Sequence, residues 1–208
     1  HRDLHSFPTR RSSDLVTTFF GGRYRSRPVE DVLAELRGLP PFDGFVMKNV
    51  VFFVDDNIVS NRAYARAFLT RIADLGLRWV GHASVNLADD PEMLKLCQRS
   101  GCMGVLIGFE TLSTETMRSI GRKSRLRMDY LDAIQRIHDH GIGIDGSFVF
   151  GFDSDDAGVF DRTVDFVTRA KIEVPYYSVL TPYPGTRLHD RLSRENRIVN
   201  REDRKSVV

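Results

Sequence analysis

Apolar stretches recur along the chain with helix-like segments between them. The first, residues 50–54, is an unbroken apolar run, which is typical of a strand buried on both faces of a parallel sheet. The other stretches lie within residues 78–86, 103–110, 144–152 and 176–186. Strands that alternate with helices predict an α/β fold with a parallel sheet, either open and doubly wound or curved into a barrel.

The segments between these stretches carry the end signals of helices. In residues 27–38, Pro28 marks a helix start and Gly38 marks its end, with an apolar stripe between them. Residues 89–101 open with Asp-Asp-Pro and close with Gly101, which predicts a capped helix. Further helices are predicted near residues 64–75, 128–140 and 160–167, so each apolar stretch is separated from the next by one helix.

Polar side chains follow the predicted strands at the point where each strand ends. They are Asp55, Asp56 and Asn57 after the first strand, Ser84 after the second, Glu110 after the third, Asp153 after the fourth and Tyr183 after the fifth. Because ligands bind at the carboxyl ends of parallel strands, we expect these residues to border a site. Neighbours such as Asp155, Asp156 and Ser113 are more typical of helix caps. Glu110 is the strongest candidate, since a carboxylate after a buried apolar run needs a partner.

Two further motifs carry little weight. Residues 141–146, GIGIDG, match a dinucleotide-binding pattern, but they follow a helix and open a strand, which is the reverse of the required order. Cys97 and Cys102 lack metal-ligand spacing and provide no disulfide framework, so a reducing, cytoplasmic setting is predicted. No apolar run approaches the roughly 20 residues of a membrane span, so no span is expected.

The two ends of the chain are predicted to have a different origin from the rest. Residues 5–15 are the translation of a widely used sequencing adapter, and residues 203–208 translate its reverse complement up to a stop codon. We therefore expect residues 1–15 and 203–208 to be artefacts around one genuine domain, residues 16–202. Residues 1–15 hold three Arg and two Asp, and residues 203–208 hold Arg, Lys and Asp, so each end adds +1 to the net charge of +2. The remainder is neutral, and nucleic acid is not an expected partner.

Stretches that follow one another in a fixed order resemble a known enzyme family. They are FFGGRYRSRPVEDVLAEL, VFFVDDNIVSN, LADDPEMLKLCQRSGCMGVLIGFETLS, HDHGIGIDGSFVFGFDSDD and LTPYPGTRLHDRL. They cover nearly all of residues 16–202 and resemble the core of a radical S-adenosylmethionine enzyme, of the class often fused to a cobalamin-binding domain. The resemblance implies a partial (β/α)6 barrel of the TIM type. It also implies a 4Fe–4S cluster held by a CxxxCxxC loop, and cleavage of S-adenosylmethionine to a 5′-deoxyadenosyl radical that acts on a small-molecule substrate.

The resemblance also implies a set of cofactor-binding residues at the strand ends. They are Asp55, Asp56, Asn57, Ser84, Glu110, Gly146, Gly151, Asp153, Pro182 and Tyr183. The VDDN stretch resembles the family motif that receives the methionine amino group, where a strand-end acid makes a charge-assisted contact. Glu110 stands where the ribose or the ammonium is contacted. Gly146 and Gly151 would allow the backbone to approach adenine and methionine closely, and TPYPGT matches the place where adenine packs.

The chain departs from the family at the cluster. The CxxxCxxC loop should stand just before TTFFGG, residues 17–22, but adapter sequence begins there instead. The first strand and all three cluster cysteines are therefore expected to be missing. As printed, the chain is expected to bind no cluster and to be inactive, although its parent would be an enzyme. An incomplete partial barrel of parallel strands is the predicted fold.

Partners and alternative functions follow from the same residues. The radical enzyme would need an electron donor such as a flavodoxin or a ferredoxin, and cobalamin from an upstream domain would fit methyl transfer as one outcome. A metal-dependent nucleotide-sugar transferase is a second interpretation, because paired Asp55 and Asp56 after a buried strand could hold a divalent ion. A non-catalytic, barrel-like binding module is the third. The uninterrupted gene upstream of residue 16 would separate the three.

Overall fold

Strands and helices alternate along the chain in the computed structural model, which describes residues 26–40, 50–113 and 130–198. The strands are β1 (Val50–Phe53), β2 (Arg78–Ala83), β3 (Cys102–Glu110), β4 (Gly143–Phe150) and β5 (Val174–Val179). The helices are α1 (Val29–Arg37), α2 (Arg62–Ile72), α3 (Pro91–Arg99), α4 (Tyr130–His138), α5 (Val159–Ala170) and α6 (Arg187–Arg194). Short 3₁₀ turns occupy Ala73–Leu75 and Val85–Asp89. None of these described helices is long and apolar enough to cross a membrane.

The strands form one parallel sheet in which spatial order and chain order coincide, β1-β2-β3-β4-β5. Because every pair is parallel, all the carboxyl ends of the strands lie along one edge. Within the described residues the sheet does not close on itself, and β1 and β5 are its outer strands. The predicted α/β fold with an open, partial barrel is confirmed. The predicted loss of a first strand, and the two predicted artefact segments, lie outside the described residues.

One face of the sheet is packed under the helices. Trp79 of β2 and Phe109 of β3 are fully buried there. Phe53 meets Phe68 of α2 edge to face with ring centroids 5.4 Å apart, and Phe109 stacks on Phe148 of β4 at 5.4 Å. Each large side chain buried in this way stabilises the fold by about 1.5–3 kcal/mol. This layer is the core that fixes the orientation of every strand.

Alternate residues of the strands point to the opposite face, which we call the open face. It carries Phe52, Val80, His82, Gly104, Leu106, Gly108, Asp145, Ser147 and Tyr176. The ring centroids of Phe52 and His82 lie 5.4 Å apart, which agrees with their sharing this face. Phe52 is 54% exposed and Tyr176 is 49% exposed. The open face is therefore much less covered than the helix-packed face.

The predicted ends of α3 are confirmed. The Asp90 carboxylate accepts a hydrogen bond from the Met93 N–H at 3.0 Å, and Pro91 is the first residue of the helix. Gly101 follows the helix with a φ of 88°, a left-handed conformation that favours glycine. A Cβ at Gly101 would lie 2.0 Å from the Leu77 carbonyl oxygen, so any other residue here would displace the backbone. The chain after α3 therefore passes close to the backbone just before β2.

Two features differ from the sequence analysis. The prediction that residues 50–54 are buried on both faces is wrong: β1 ends at Phe53, and Val54 is 76% exposed. The physical reason is that β1, an outer strand of the described sheet, has a strand neighbour on one side only, and Phe52 on its open face is 54% exposed. The sequence analysis also did not predict α6. Its signals were Thr186, which caps the helix, and the spacing of Leu188 and Leu192, which pack together with Val149.

Candidate functional site

The candidate residues after β1 lie in a turn that is hydrogen-bonded to β2. Asp55 and Asp56 are exposed, and neither carboxylate has an ion pair or hydrogen bond within the described ranges. The Asn57 Oδ1 accepts the Val59 N–H at 3.2 Å, which forms an Asx-type turn. The Ile58 N–H donates to the His82 carbonyl oxygen at 3.0 Å. The turn therefore holds two solvent-facing carboxylates at the carboxyl edge of the sheet.

Glu110, the last residue of β3, has a backbone conformation that is rare for any residue except glycine. Its φ is 65°, and the register between β3 and β4 shifts between Gly108 and Glu110. Strain of this kind costs about 1–3 kcal/mol and occurs preferentially at functional sites. The side chain turns back along the strand, because a Cβ on Gly108 would lie only 2.7 Å from the Glu110 Oε1. A half-buried carboxylate is thus held on the open face, at the end of a central strand.

The turn after β4 is held together by acidic side chains. Gly151 has a φ of 97°, and the Asp155 carboxylate accepts the N–H groups of Gly151 and Phe152 at 2.8 and 3.0 Å. Asp155 therefore stabilises the strand end, whereas the sequence analysis considered it a helix cap. Asp153 forms ion pairs with Arg191 at 3.1 Å and Arg197 at 2.6 Å. Its carboxylate links this turn to α6 and the segment that follows it.

Gly146 and Ser84 have local structural explanations. A Cβ on Gly146 would lie 3.1 Å from two side-chain carbons of Ile172 and 3.2 Å from Phe148, so packing under the helices already favours glycine. Ser84 precedes the 3₁₀ turn Val85–Asp89 and is half-buried, but its side chain makes no capping hydrogen bond. The predicted contact of both residues with a cofactor stays a prediction.

The turn after β5 presents an aromatic ring at the same edge of the sheet. Pro182 is buried and Tyr183 is 44% exposed. The Tyr183 carbonyl oxygen accepts the Thr186 N–H at 3.1 Å and the Thr186 hydroxyl at 2.7 Å, which begins α6. The Tyr183 ring therefore projects from a turn whose backbone is hydrogen-bonded to the start of α6, although its contact with adenine stays a prediction.

The sequence analysis missed three residues of the open face: His82, Gly108 and Asp145. His82 and Asp145 lie in one cross-strand row with Leu106 between them, and both are half-buried. Burial, and then the nearby Glu173 carboxylate, raise the pKa of Asp145. Strict alternation of core and non-core residues in β2 and β4 was the available signal. It was obscured because the strands contain small and apolar residues on both faces.

The two cysteines are placed for packing and not for metal binding. Cys97 lies on α3 and Cys102 begins β3, and both are buried, free thiols. Burial raises the pKa of Cys97 to about 12, and it also raises the pKa of Cys102. Glu110 is at the other end of β3 from Cys102. Within the parts of the chain that the structure describes, no group of three His, Cys, Asp or Glu side chains is arranged to hold a metal ion.

A comparison with protein families decides the identity of the fold. The sequence profile of the radical SAM superfamily matches residues 7–167. The chain belongs to the radical SAM superfamily. Members of this superfamily are enzymes that use S-adenosylmethionine and a 4Fe–4S cluster, so the family expected from the sequence is confirmed.

Named relatives of the radical SAM chain include methyltransferases. It is 39% identical over 170 residues to bacteriochlorophyllide d C-12(1)-methyltransferase of Chlorobaculum tepidum, an alignment that covers 81% of this chain and 37% of that protein. It is 25% identical over 199 residues to hopanoid C-2 methylase of Rhodopseudomonas palustris, covering 93% of this chain and 37% of that protein. The chain therefore spans little more than a third of the length of these relatives.

The fold of the radical SAM chain is also found in solved structures. One is the radical S-adenosylmethionine methyltransferase TsrM from Kitasatospora setae, solved with cobalamin and a 4Fe–4S cluster bound. The TM-score is 0.69 at 18% identity, over 86% of this chain and 36% of that one. At this identity the likeness supports the open, parallel partial barrel and not the details of the site.

Proposed function

We propose that the parent protein of this chain is a cobalamin-dependent radical S-adenosylmethionine methyltransferase acting on a small molecule. The observation that carries the cofactor assignment is the strained Glu110, whose carboxylate is held on the open face at the carboxyl edge of the sheet. The methyltransferase part is supported by the relatives named above. Two molecules of S-adenosylmethionine would be used: one would supply the methyl group and leave as S-adenosylhomocysteine, and the other would supply the 5′-deoxyadenosyl radical and leave methionine.

The residues of the carboxyl edge fit S-adenosylmethionine. The ligand carries a sulfonium and an ammonium, and Glu110 and Asp55 offer carboxylates at the ends of β3 and β1. Charge-assisted hydrogen bonds of this type are stronger than neutral ones. The exposed ring of Tyr183 offers an apolar surface to adenine, and Gly151 leaves the backbone accessible at the end of β4. In this proposal Asp56, Asn57 and Ser84 complete the rim.

The residues of this chain do not fit the 4Fe–4S cluster. A cluster with an open iron site needs three thiolates, whereas the chain has two cysteines, both buried and protonated at neutral pH because burial raises their pKa. We therefore assign no redox step to this chain. In the parent enzyme the three cysteines would stand outside residues 16–202, and residues 1–15 and 203–208 would be replaced by natural sequence.

The other partners follow from this assignment. We propose an electron donor such as a flavodoxin or ferredoxin, a cobalamin-binding domain upstream, and a cytoplasmic location. The last is supported by the two free thiols and by the reducing conditions that thiolate-bound clusters need. Among the three functions considered from the sequence, family membership favours this one over a nucleotide-sugar transferase.

The uninterrupted gene provides the test of the proposed function. The full-length protein, reconstituted anaerobically with cluster and cobalamin, is expected to form S-adenosylhomocysteine and 5′-deoxyadenosine from S-adenosylmethionine when a reductant is supplied. A cluster-loaded protein that binds S-adenosylmethionine but forms neither product would contradict the proposal. As a control for the transferase, uridine diphosphate-glucose with manganese should give no binding that depends on Asp55 and Asp56.

A further inference from the structure

We propose that Gly108 is a positioning residue: the Glu110 carboxylate lies in the space that a side chain at position 108 would occupy. This inference rests on the proposed function, in which Glu110 contacts S-adenosylmethionine. Gly108 itself would touch no ligand atom. It would act by allowing the carboxylate to lie flat against β3 on the open face, next to the end of the strand.

Gly108 is not required by its own backbone or by the core. Its φ is not in the left-handed region, so the conformation is open to any residue. Gly101, Gly141 and Gly151 have positive φ and differ in this respect. A Cβ on Gly108 would point to the open face, because Ile107 and Phe109 on either side are buried under the helices. A helix-packing explanation of the kind that applies to Gly146 is therefore absent for Gly108 within the described residues.

The only neighbours that would meet a side chain here, among the described residues, belong to Glu110. A Cβ on Gly108 would lie 2.7 Å from the Glu110 Oε1 and 3.5 Å from its Cδ, with no further atom of the described residues within 4 Å. The first distance is too short for any real contact of a Cβ. One of the two groups must move, and the distance must grow to at least the 3.4 Å of ordinary contact.

The carboxylate, and not the strand, is the group that moves. Ile107 is paired on both sides, with Ala83 of β2 and Gly146 of β4, and Gly108 is paired with Ser147 of β4, so the backbone next to Gly108 is held by two ladders and Gly108 itself by one. The Glu110 carboxylate is the end of a flexible side chain, and a turn of about 30° away from its rotamer costs about 0.5–1.5 kcal/mol. Gly108→Ala is therefore expected to displace the carboxylate while the fold persists.

Displacement of the carboxylate would matter for binding because charge-assisted hydrogen bonds need a narrow distance. The heavy atoms of such bonds lie about 2.7–2.9 Å apart, and a group moved by most of an ångström no longer forms them well. The loss is expected to approach that caused by removing the charge with Glu110→Gln. The register shift between Gly108 and Glu110 would then place a strained residue close to a residue without a side chain, and both features would help to orient the Glu110 carboxylate.

A double-mutant cycle in the 208-residue chain tests this inference, with S-adenosylmethionine itself as the titrated probe. Gly108→Ala and Glu110→Gln are each expected to weaken binding by roughly ten- to hundred-fold. The double variant should bind no more weakly than Glu110→Gln, because both changes remove the same interaction. Gly104→Ala is the matched control: it also adds a methyl on the open face of β3, 3.3 Å from the Gly143 carbonyl oxygen, and should leave affinity unchanged.

A ligand-independent measurement separates this inference from the proposed function. The ¹³C carboxyl signal of Glu110, assigned by its disappearance in Glu110→Gln, should shift in Gly108→Ala and not in Gly104→Ala. An unchanged signal in Gly108→Ala would overturn the role of Gly108. The signal could instead shift in Gly108→Ala while the chain binds no S-adenosylmethionine, or binds it with the same affinity in Glu110→Gln as in the parent chain. Either result would support the arrangement at Gly108 and overturn the contact between Glu110 and the cofactor.

Discussion

At the scale of single residues, the acidic side chains of the carboxyl edge differ in whether their charge is already paired. The pKa of Asp153 is lowered, chiefly by the hydrogen bond from Arg197. The charges of Arg197 and Arg191 lower it further, and together these effects outweigh burial, which alone would raise it. Asp55 is exposed and has no such partner within the described ranges. A carboxylate that already pairs with two guanidiniums attracts a cationic ligand less strongly. Asp55 is therefore a better candidate for the cofactor than Asp153.

Replacing Asp55 by Asn tests its charge without changing its shape. Because Asp55 is exposed, water screens the interaction, and Asp55→Asn should weaken S-adenosylmethionine binding by about two- to tenfold, less than Glu110→Gln does. The loss should shrink as salt is added, and the thermal melt should not move. Asp153→Asn is the matched control, with a smaller effect on affinity. If the Asp55 charge did not act on the cofactor, affinity would stay the same in Asp55→Asn.

At the scale of secondary structure, Asp90 joins α2 to α3. Its carboxylate caps α3 through the Met93 N–H and also pairs with Arg62 and Arg66 of α2. Burial alone would raise the pKa of Asp90, but the Met93 hydrogen bond and the two guanidiniums outweigh it and lower the pKa. Stability from this group is therefore fully present above the unfolded pKa of about 3.9 and is lost as pH falls through the lower folded value.

Two substitutions separate the cap from the ion pairs. Asp90→Ala should lower the free energy of unfolding by about 1–2 kcal/mol at pH 7, because both interactions are lost. Asp90→Asn keeps the cap and should cost less. Urea unfolding between pH 5 and pH 3 should show a smaller decline in stability for both variants than for the parent chain. An equal decline in all three would mean that Asp90 does not contribute to acid sensitivity.

Gly101 and Gly141 provide a second comparison between elements. Both have positive φ, but a Cβ on Gly141 would meet no atom of the described residues within 4 Å, whereas one on Gly101 would lie 2.0 Å from the Leu77 carbonyl oxygen. Gly141→Ala should cost about 1–2 kcal/mol for the left-handed conformation alone. Gly101→Ala should cost a further ~1–3 kcal/mol through displacement of the backbone. Equal unfolding free energies for the two variants would show that α3 and β2 adjust freely.

The structural features that could be predicted from the sequence are those that depend on a few neighbouring residues. The cap at Asp90, the glycine after α3 and the strand–helix alternation all depend on local chemistry, and each was predicted. The strained Glu110 conformation depends on pairing between β3 and β4, and the docking of α6 depends on Val149 from a distant part of the chain. Neither could be derived from local periodicity. Glu110 was nevertheless singled out, because a carboxylate after a buried strand is chemically unusual.

At the scale of the whole molecule, the chain belongs to a family of enzymes but lacks the cysteines that the chemistry of the family needs. The chain matches the radical SAM profile over residues 7–167 and has the open parallel sheet of the family. It nevertheless contains only two cysteines. The strand-end residues that would contact S-adenosylmethionine and the residues that would hold the cluster are therefore separable here. The chain offers a way to measure the protein's own contribution to cofactor binding without the iron.

This separation predicts that anaerobic reconstitution of the chain with iron and sulfide yields no stoichiometric cluster. Cys97 and Cys102 are too few for three thiolate bonds, and burial keeps them protonated because it raises their pKa, for Cys97 to about 12. Cys102 also begins β3, while Glu110 ends it, so about 26 Å of strand would separate any iron there from the candidate site. Iron and sulfide analysis of the monomer, compared with a Cys97→Ser, Cys102→Ser double variant, should give the same background in both. One cluster per chain that disappears in the double variant would contradict the prediction, and would mean that α3 and β3 open to expose both thiols.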